Sequence, residues 1–170
     1  MFLSLLILGA MATQVAAAQP STCEQARSLA DASFRQRTNL KTRQQSEGDL
    51  KVALQQCTSA TVRSRLDRRL RTVQEEIALT HLAIAEVLPH ADGIGLTTSA
   101  LSRLLLIERD YPNFSRMDRV LFLMGDYSDR LGNAPDAANY FRRLIADYPR
   151  SSFTEQARKR LADLAPKGET

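Results

Sequence analysis

The chain has 170 residues, 44% of them hydrophobic and 25% charged, with a formal net charge of +4. This composition excludes a disordered polyelectrolyte and an integral membrane bundle. Seven Gly, six Pro, 6% aromatics and no Trp argue against an all-β sandwich, and two His with two Cys leave little material for metal clusters or His-centred catalysis.

Phe2 to Ala12 form an apolar run, followed by the small residues Val15-Ala16-Ala17-Ala18. Residues 1–18 read as a signal peptide cleaved after Ala18, although no Lys or Arg precedes the run. Thr13 and Gln14 end it well short of the roughly 20 apolar residues of a spanning helix. Cys23 follows Pro20-Ser21-Thr22, which is no lipobox, so the expected product is periplasmic or secreted, begins near Gln19 and is not a lipoprotein.

From Cys23 to Arg35, Ala26, Leu29, Ala30 and Phe34 recur on one helix face. Gln36 to Glu47 is mostly polar, and Gly48-Asp49 punctuates, with Asp49 as the expected N-cap of a short helix carrying Leu50, Ala53, Leu54 and Cys57. The longest helical signal runs from Ala60 to Leu88, where Pro89 stops it and His90-Ala91-Asp92-Gly93 forms a loop. Further helices are expected over 96–110, 116–131, 134–147 and 152–164. No segment reads as a strand, so the fold class is all-α.

The C-terminal half repeats itself. Gly95, Ala100, Leu104, Ile107 and Pro112 recur 37 residues later as Gly132, Ala137, Phe141, Leu144 and Pro149. A period of this length indicates stacked helical hairpins. The Gly ends one helix in a left-handed conformation, the Ala lets the next helix approach closely, and the Pro terminates it. Ser152 and Glu155 form a candidate capping box for a terminal helix with Phe153, Ala157, Leu161 and Leu164 on one side and Arg158, Lys159 and Asp163 on the other.

Leu121, Met124, Gly125, Ser128, Gly132, Ala137, Phe141, Leu144 and Pro149 together resemble the tetratricopeptide repeat family, with Ser128 where Tyr is usual and Leu121 in place of an aromatic. Gly48, Ala53, Cys57 and Ala60 keep the same offsets as a faint third copy. The Asp-Tyr-Pro joints are similar to envelope members of the family, the component of the outer-membrane β-barrel assembly machinery and the cell-division coordinator of the Tol system. The resemblance implies an α-solenoid of antiparallel hairpins: a degenerate region over 19–92, clear repeats and a capping helix over 93–164, and a tail over 165–170.

In that family the first helix of each hairpin lines a concave groove, and Arg119, Phe122, Asp126, Asp129 and Arg130 occupy the matching positions. Phe122 is either an anchor for a bound peptide or a packing residue against the long helix before it. The excess positive charge lies wholly within residues 19–80, around Arg35, Arg37, Lys41, Arg43, Arg63, Arg65, Arg68, Arg69 and Arg71. It is either a solvated basic face or a contact for an anionic partner. Nucleic acid is not expected, because no aromatics interleave to stack bases.

Cys23 and Cys57 are an even pair, which an oxidising compartment would join, but a bridge requires the first helix to end near Arg35 to Asn39. His81 and His90 have no partner at ligand spacing, and no nucleophile, phosphate-loop or dinucleotide motif occurs, so no metal, cofactor or catalytic activity is expected. The expected function is a non-catalytic adaptor that holds a peptide or helix of another envelope protein, in outer-membrane assembly or envelope maintenance. The alternatives are a self-associating structural module, or an accessory domain whose basic N-terminal helices touch an anionic membrane. The oligomeric state stays open.

Overall fold

The computed structural model describes residues 22–90 and 94–165, so the expected signal peptide, residues 91–93 and most of the tail lie outside the described residues. The described part is all-α: α1 (Cys23–Arg35), α2 (Leu40–Gln56), α3 (Ala60–Val87), α4 (Ile94–Asp110), α5 (Met117–Arg130), α6 (Ala134–Asp147) and α7 (Thr154–Asp163), with a 3₁₀ turn at Leu88–His90. None of these helices is long and apolar enough to cross a membrane.

Helix starts follow side-chain chemistry. The Thr22 side chain accepts from the Gln25 amide at α1, and the Asn133 side chain accepts from the Asp136 amide at α6, whose first turn carries Pro135. The end of α5 is a Schellman turn. Gly132 takes φ +79°, its amide bonds the Asp129 carbonyl at 2.9 Å, and the Asn133 amide bonds the Ser128 carbonyl at 2.9 Å.

Four local expectations are corrected. Asp49 does not cap a short helix: α2 begins nine residues earlier, where Asn39 and Thr42 exchange a complete capping box, and Gly48 and Asp49 lie inside it. A Gly in a helix costs only about 1 kcal/mol relative to Ala, which the buried Leu50 and Ala53 on the same helix offset. The third repeat copy does not hold, because Gly48 is mid-helix while Cys57 lies beyond the end of α2. Gly95 is the second residue of α4 with no positive φ, so it ends nothing. Ser152 caps nothing either: Phe153 precedes α7 without a side-chain cap, and the Ser151 hydroxyl accepts from the Phe153 amide at 3.1 Å.

Each helix packs on the next in sequence, from α1 against α2 through to α6 against α7. A single cluster of buried residues runs from Ala26 to Ala157, so the N-terminal region and the repeats share one core. Within it the repeated positions match: Ala100, Leu104 and Ile107 are fully buried, as are Ala137, Phe141 and Leu144. Gly125 lets α6 approach α5, since a Cβ there would sit 2.5 Å from the Phe141 ring.

Side chains also join alternate helices. Asp31 pairs with Arg69 from α1 to α3, Glu86 with Arg119 from α3 to α5, and Asp126 and Asp129 with Arg160 from α5 to α7. Glu108 pairs with Arg143 from α4 to α6. Through these pairs α1, α3, α5 and α7 are linked into one row and α4 and α6 into a second. At the start of the stack Cys23 and Cys57 form a disulfide with a Cα separation of 4.7 Å. The span is met because α1 ends at Arg35 and the chain turns within residues 36–39.

Candidate functional site

Helix α5 sets the site. Met117, Val120, Leu121, Met124 and Ser128 face inward and are buried, Leu131 is only partly so, and Tyr127, unexpected from the pattern, is buried with them. Its phenol donates to the Ala85 carbonyl of α3 at 3.1 Å, and burial raises its pKa, so it stays a donor. The opposite flank of α5 carries the five expected groove residues, which the structure brings together on one face.

Most of them are already engaged. Arg119 is half-buried, paired with Glu86, and its guanidinium lies 5.6 Å above the Phe153 ring. Phe122 stacks on Phe153 with centroids 5.2 Å apart and meets Phe141 at 5.9 Å. It thus packs on ring partners from α6 and from the residue before α7. Asp126 takes Arg160 at 2.8 Å and Arg130 at 2.9 Å, while Asp129 takes Arg160 at 2.9 Å.

Beside Phe122 an open recess of about 400 Å³ is lined by Asp126, Gln156, Lys159, Arg160 and Asp163. An aromatic floor with charges of both signs at its rim suits a polypeptide segment, which presents apolar and polar groups together. None of the lining residues is a Cys, His or Ser. Among the described residues no three His, Cys, Asp or Glu side chains converge to hold a metal ion.

The basic residues of the first half divide into two groups. Arg37 and Arg43 pair with Glu76, Arg69 pairs with Asp31, and the Arg63 guanidinium bonds the Cys57 carbonyl at 3.2 Å, where a cation complements the end of α2. Arg35, Lys41, Arg65, Arg68 and Arg71 are exposed, with no ion pair among the described residues.

Several buried polar groups escaped the sequence pattern, and Glu47 and His81 are the titratable ones among them. Glu47 is only 8% exposed and sits between Lys51, Gln74 and Tyr111. His81 is 4% exposed between α3 and α4, with its Nδ1 3.3 Å from an Arg103 nitrogen. Arginine only donates, so Nδ1 accepts and the ring proton sits on Nε2, which has no partner among the described residues. Burial, and then the neighbouring Arg103, lower the His81 pKa. The available signal was position: Ile77, His81 and Ile84 continue a helical spacing, which marked His81 as an inward residue.

No protein-family model matches the chain, and no curated protein matches its sequence.

Proposed function

We propose that this chain is a non-catalytic, tetratricopeptide-type adaptor that is exported and binds a segment of another envelope protein on the row formed by α1, α3, α5 and α7. The observation that carries the reading is the alternation of the rows. The repeat positions Ala100, Leu104 and Ile107, and their counterparts 37 residues on, lie in the even row and are consumed by packing. The odd row keeps mixed charges, a stacked aromatic pair and a recess at the surface. Interaction surfaces of helical repeat stacks are built in this way, with one row fixing the spacing and the other presenting side chains.

The test is affinity capture from a cell-envelope fraction with the wild type and with a Gln156→Arg/Lys159→Glu double variant. Both residues line the recess, are exposed and hold no other helix in place. The reading expects a discrete set of envelope proteins with the wild type and its loss with the variant. Equal recovery by both would remove the recess from the reading, and no specific recovery at all would remove the adaptor. Light scattering on the same samples separates this from self-association, which would give a dimer without any captured protein.

A further inference from the structure

Helix α3 is 28 residues long, against 13 for α1 and 17 for α2. It therefore overhangs the hairpin, which packs along it as far as about Thr80. The Arg43 guanidinium bonds the Thr80 hydroxyl at 3.0 Å, which marks where the first turns of α2 pass α3. Residues beyond this point keep α4 and α5 on one side, where His81, Leu82 and Ala85 are buried. On the other side none of the described helices packs, and Val87 is 69% exposed. Leu79, Ala83, Ile84, Val87 and Leu88 there line an apolar depression of about 610 Å³.

Along α3, Arg65, Arg69, Thr72, Glu76, Thr80, Ala83 and Val87 follow one another at spacings of four and three, which places them on a single face. The same face is thus apolar at its C-terminal end and basic at its N-terminal end. Arg65 and Arg68 are exposed without carboxylate partners there, and α1 lies alongside through the Asp31–Arg69 pair. Arg27, one turn before Asp31 on α1, adds another exposed cation to that end, with no ion pair among the described residues.

We propose that this face of α3 docks a polypeptide segment bearing apolar side chains at one end and carboxylates at the other. The carboxylates meet Arg65 and Arg68 while the apolar end fills the depression beside Val87. From Arg65 to Val87 is about 33 Å at ~1.5 Å per residue, the reach of about ten residues of extended chain. A bilayer surface fits less well. Helices that lie on membranes carry cations along both flanks of a continuous apolar stripe, whereas α3 separates the two end to end. The proposal rests on the adaptor reading and adds to the recess beside Phe122 a second, independent surface on α3.

The test uses a display library of random peptides of about twelve residues panned against the folded protein, with phosphatidylglycerol vesicles as a second probe. The expected outcome is enrichment of peptides with apolar and acidic residues segregated to opposite ends. Their affinity should fall about tenfold or more in Val87→Asp and in Arg65→Glu/Arg68→Glu, and stay unchanged in Gln156→Arg/Lys159→Glu. All three variants change exposed residues, and unchanged thermal melts show that the fold is intact. Enrichment that ignores the α3 variants but is lost in the α7 variant would overturn this proposal and leave the adaptor standing. No enrichment would overturn both, and vesicle binding lost in the Arg variant without any peptide selection would assign the basic end to lipid instead.

Discussion

The Tyr111 phenol donates to the Glu47 carboxylate at 3.3 Å, across 64 residues of sequence. It ties the joint after α4 to the middle of α2. Its repeat counterpart, Tyr148, makes no such bond through its hydroxyl among the described residues, so the first joint is held by chemistry that the repeat does not encode. Tyr111 is 9% exposed, and burial first, then the Glu47 charge, push its pKa well above the usual phenol value, which keeps it a donor. Tyr111→Phe should therefore cost about 1–2 kcal/mol in urea unfolding, because it leaves a buried carboxylate short of a partner. Tyr148→Phe should stay within about 0.5 kcal/mol of the wild type.

The glycines form a graded series. Gly125→Ala drives a methyl into the buried Phe141 ring and should cost about 1–3 kcal/mol. Gly132→Ala forces a side chain into φ +79° and should cost about 1–2 kcal/mol. Gly48 and Gly95 lie in helices with open space around the Cβ position, so Ala at either should raise stability by up to about 1 kcal/mol. Denaturant midpoints of the four variants check the order.

The Cys23–Cys57 bridge closes a loop of 34 residues. On chain entropy alone such a loop is worth about 3–4 kcal/mol. A Cys23→Ala/Cys57→Ala variant should melt lower by that equivalent, and α1 should lose hydrogen-exchange protection before α5 does, since α1 packs mainly on α2 at the end of the stack.

His81 gives the stability a pH dependence. Its folded pKa is depressed, so near pH 6 the unfolded chain binds a proton that the folded ring does not. This contribution is complete above the unfolded value of about 6.5 and is lost as pH falls toward the folded value. Arg103 opposes protonation and Asp110 favours it more weakly. The melting temperature should drop between pH 7.5 and 5.5 in the wild type and drop less in His81→Gln.

Where apolar periodicity and Pro or Gly agreed, the sequence was sufficient. The long helix was expected over residues 60–88 and occupies Ala60–Val87, and the four later helices start and end within about two residues of their expected bounds. The first half of α2 was illegible because Ser46 and Glu47 occupy its buried positions, so the inward face reads as polar. The groove residues were legible as sharing a face. That Arg160 reaches back to Asp126 and Asp129 was not, since a pair more than 30 residues apart leaves no local pattern. The length of α3 was also legible, but its overhang depends on where α2 stops, which the hidden start of α2 obscured.

The adaptor account is tested most directly by photo-crosslinking in envelope extract with p-benzoylphenylalanine placed at one exposed site per protein. Thr72 and Gln156 report on the odd row, and Ser102 and Asn139 on the even row. The account predicts adducts with a common partner from Thr72 or Gln156 and none from Ser102 or Asn139. Adducts of equal yield from both rows, or adducts from the even row alone, would contradict it.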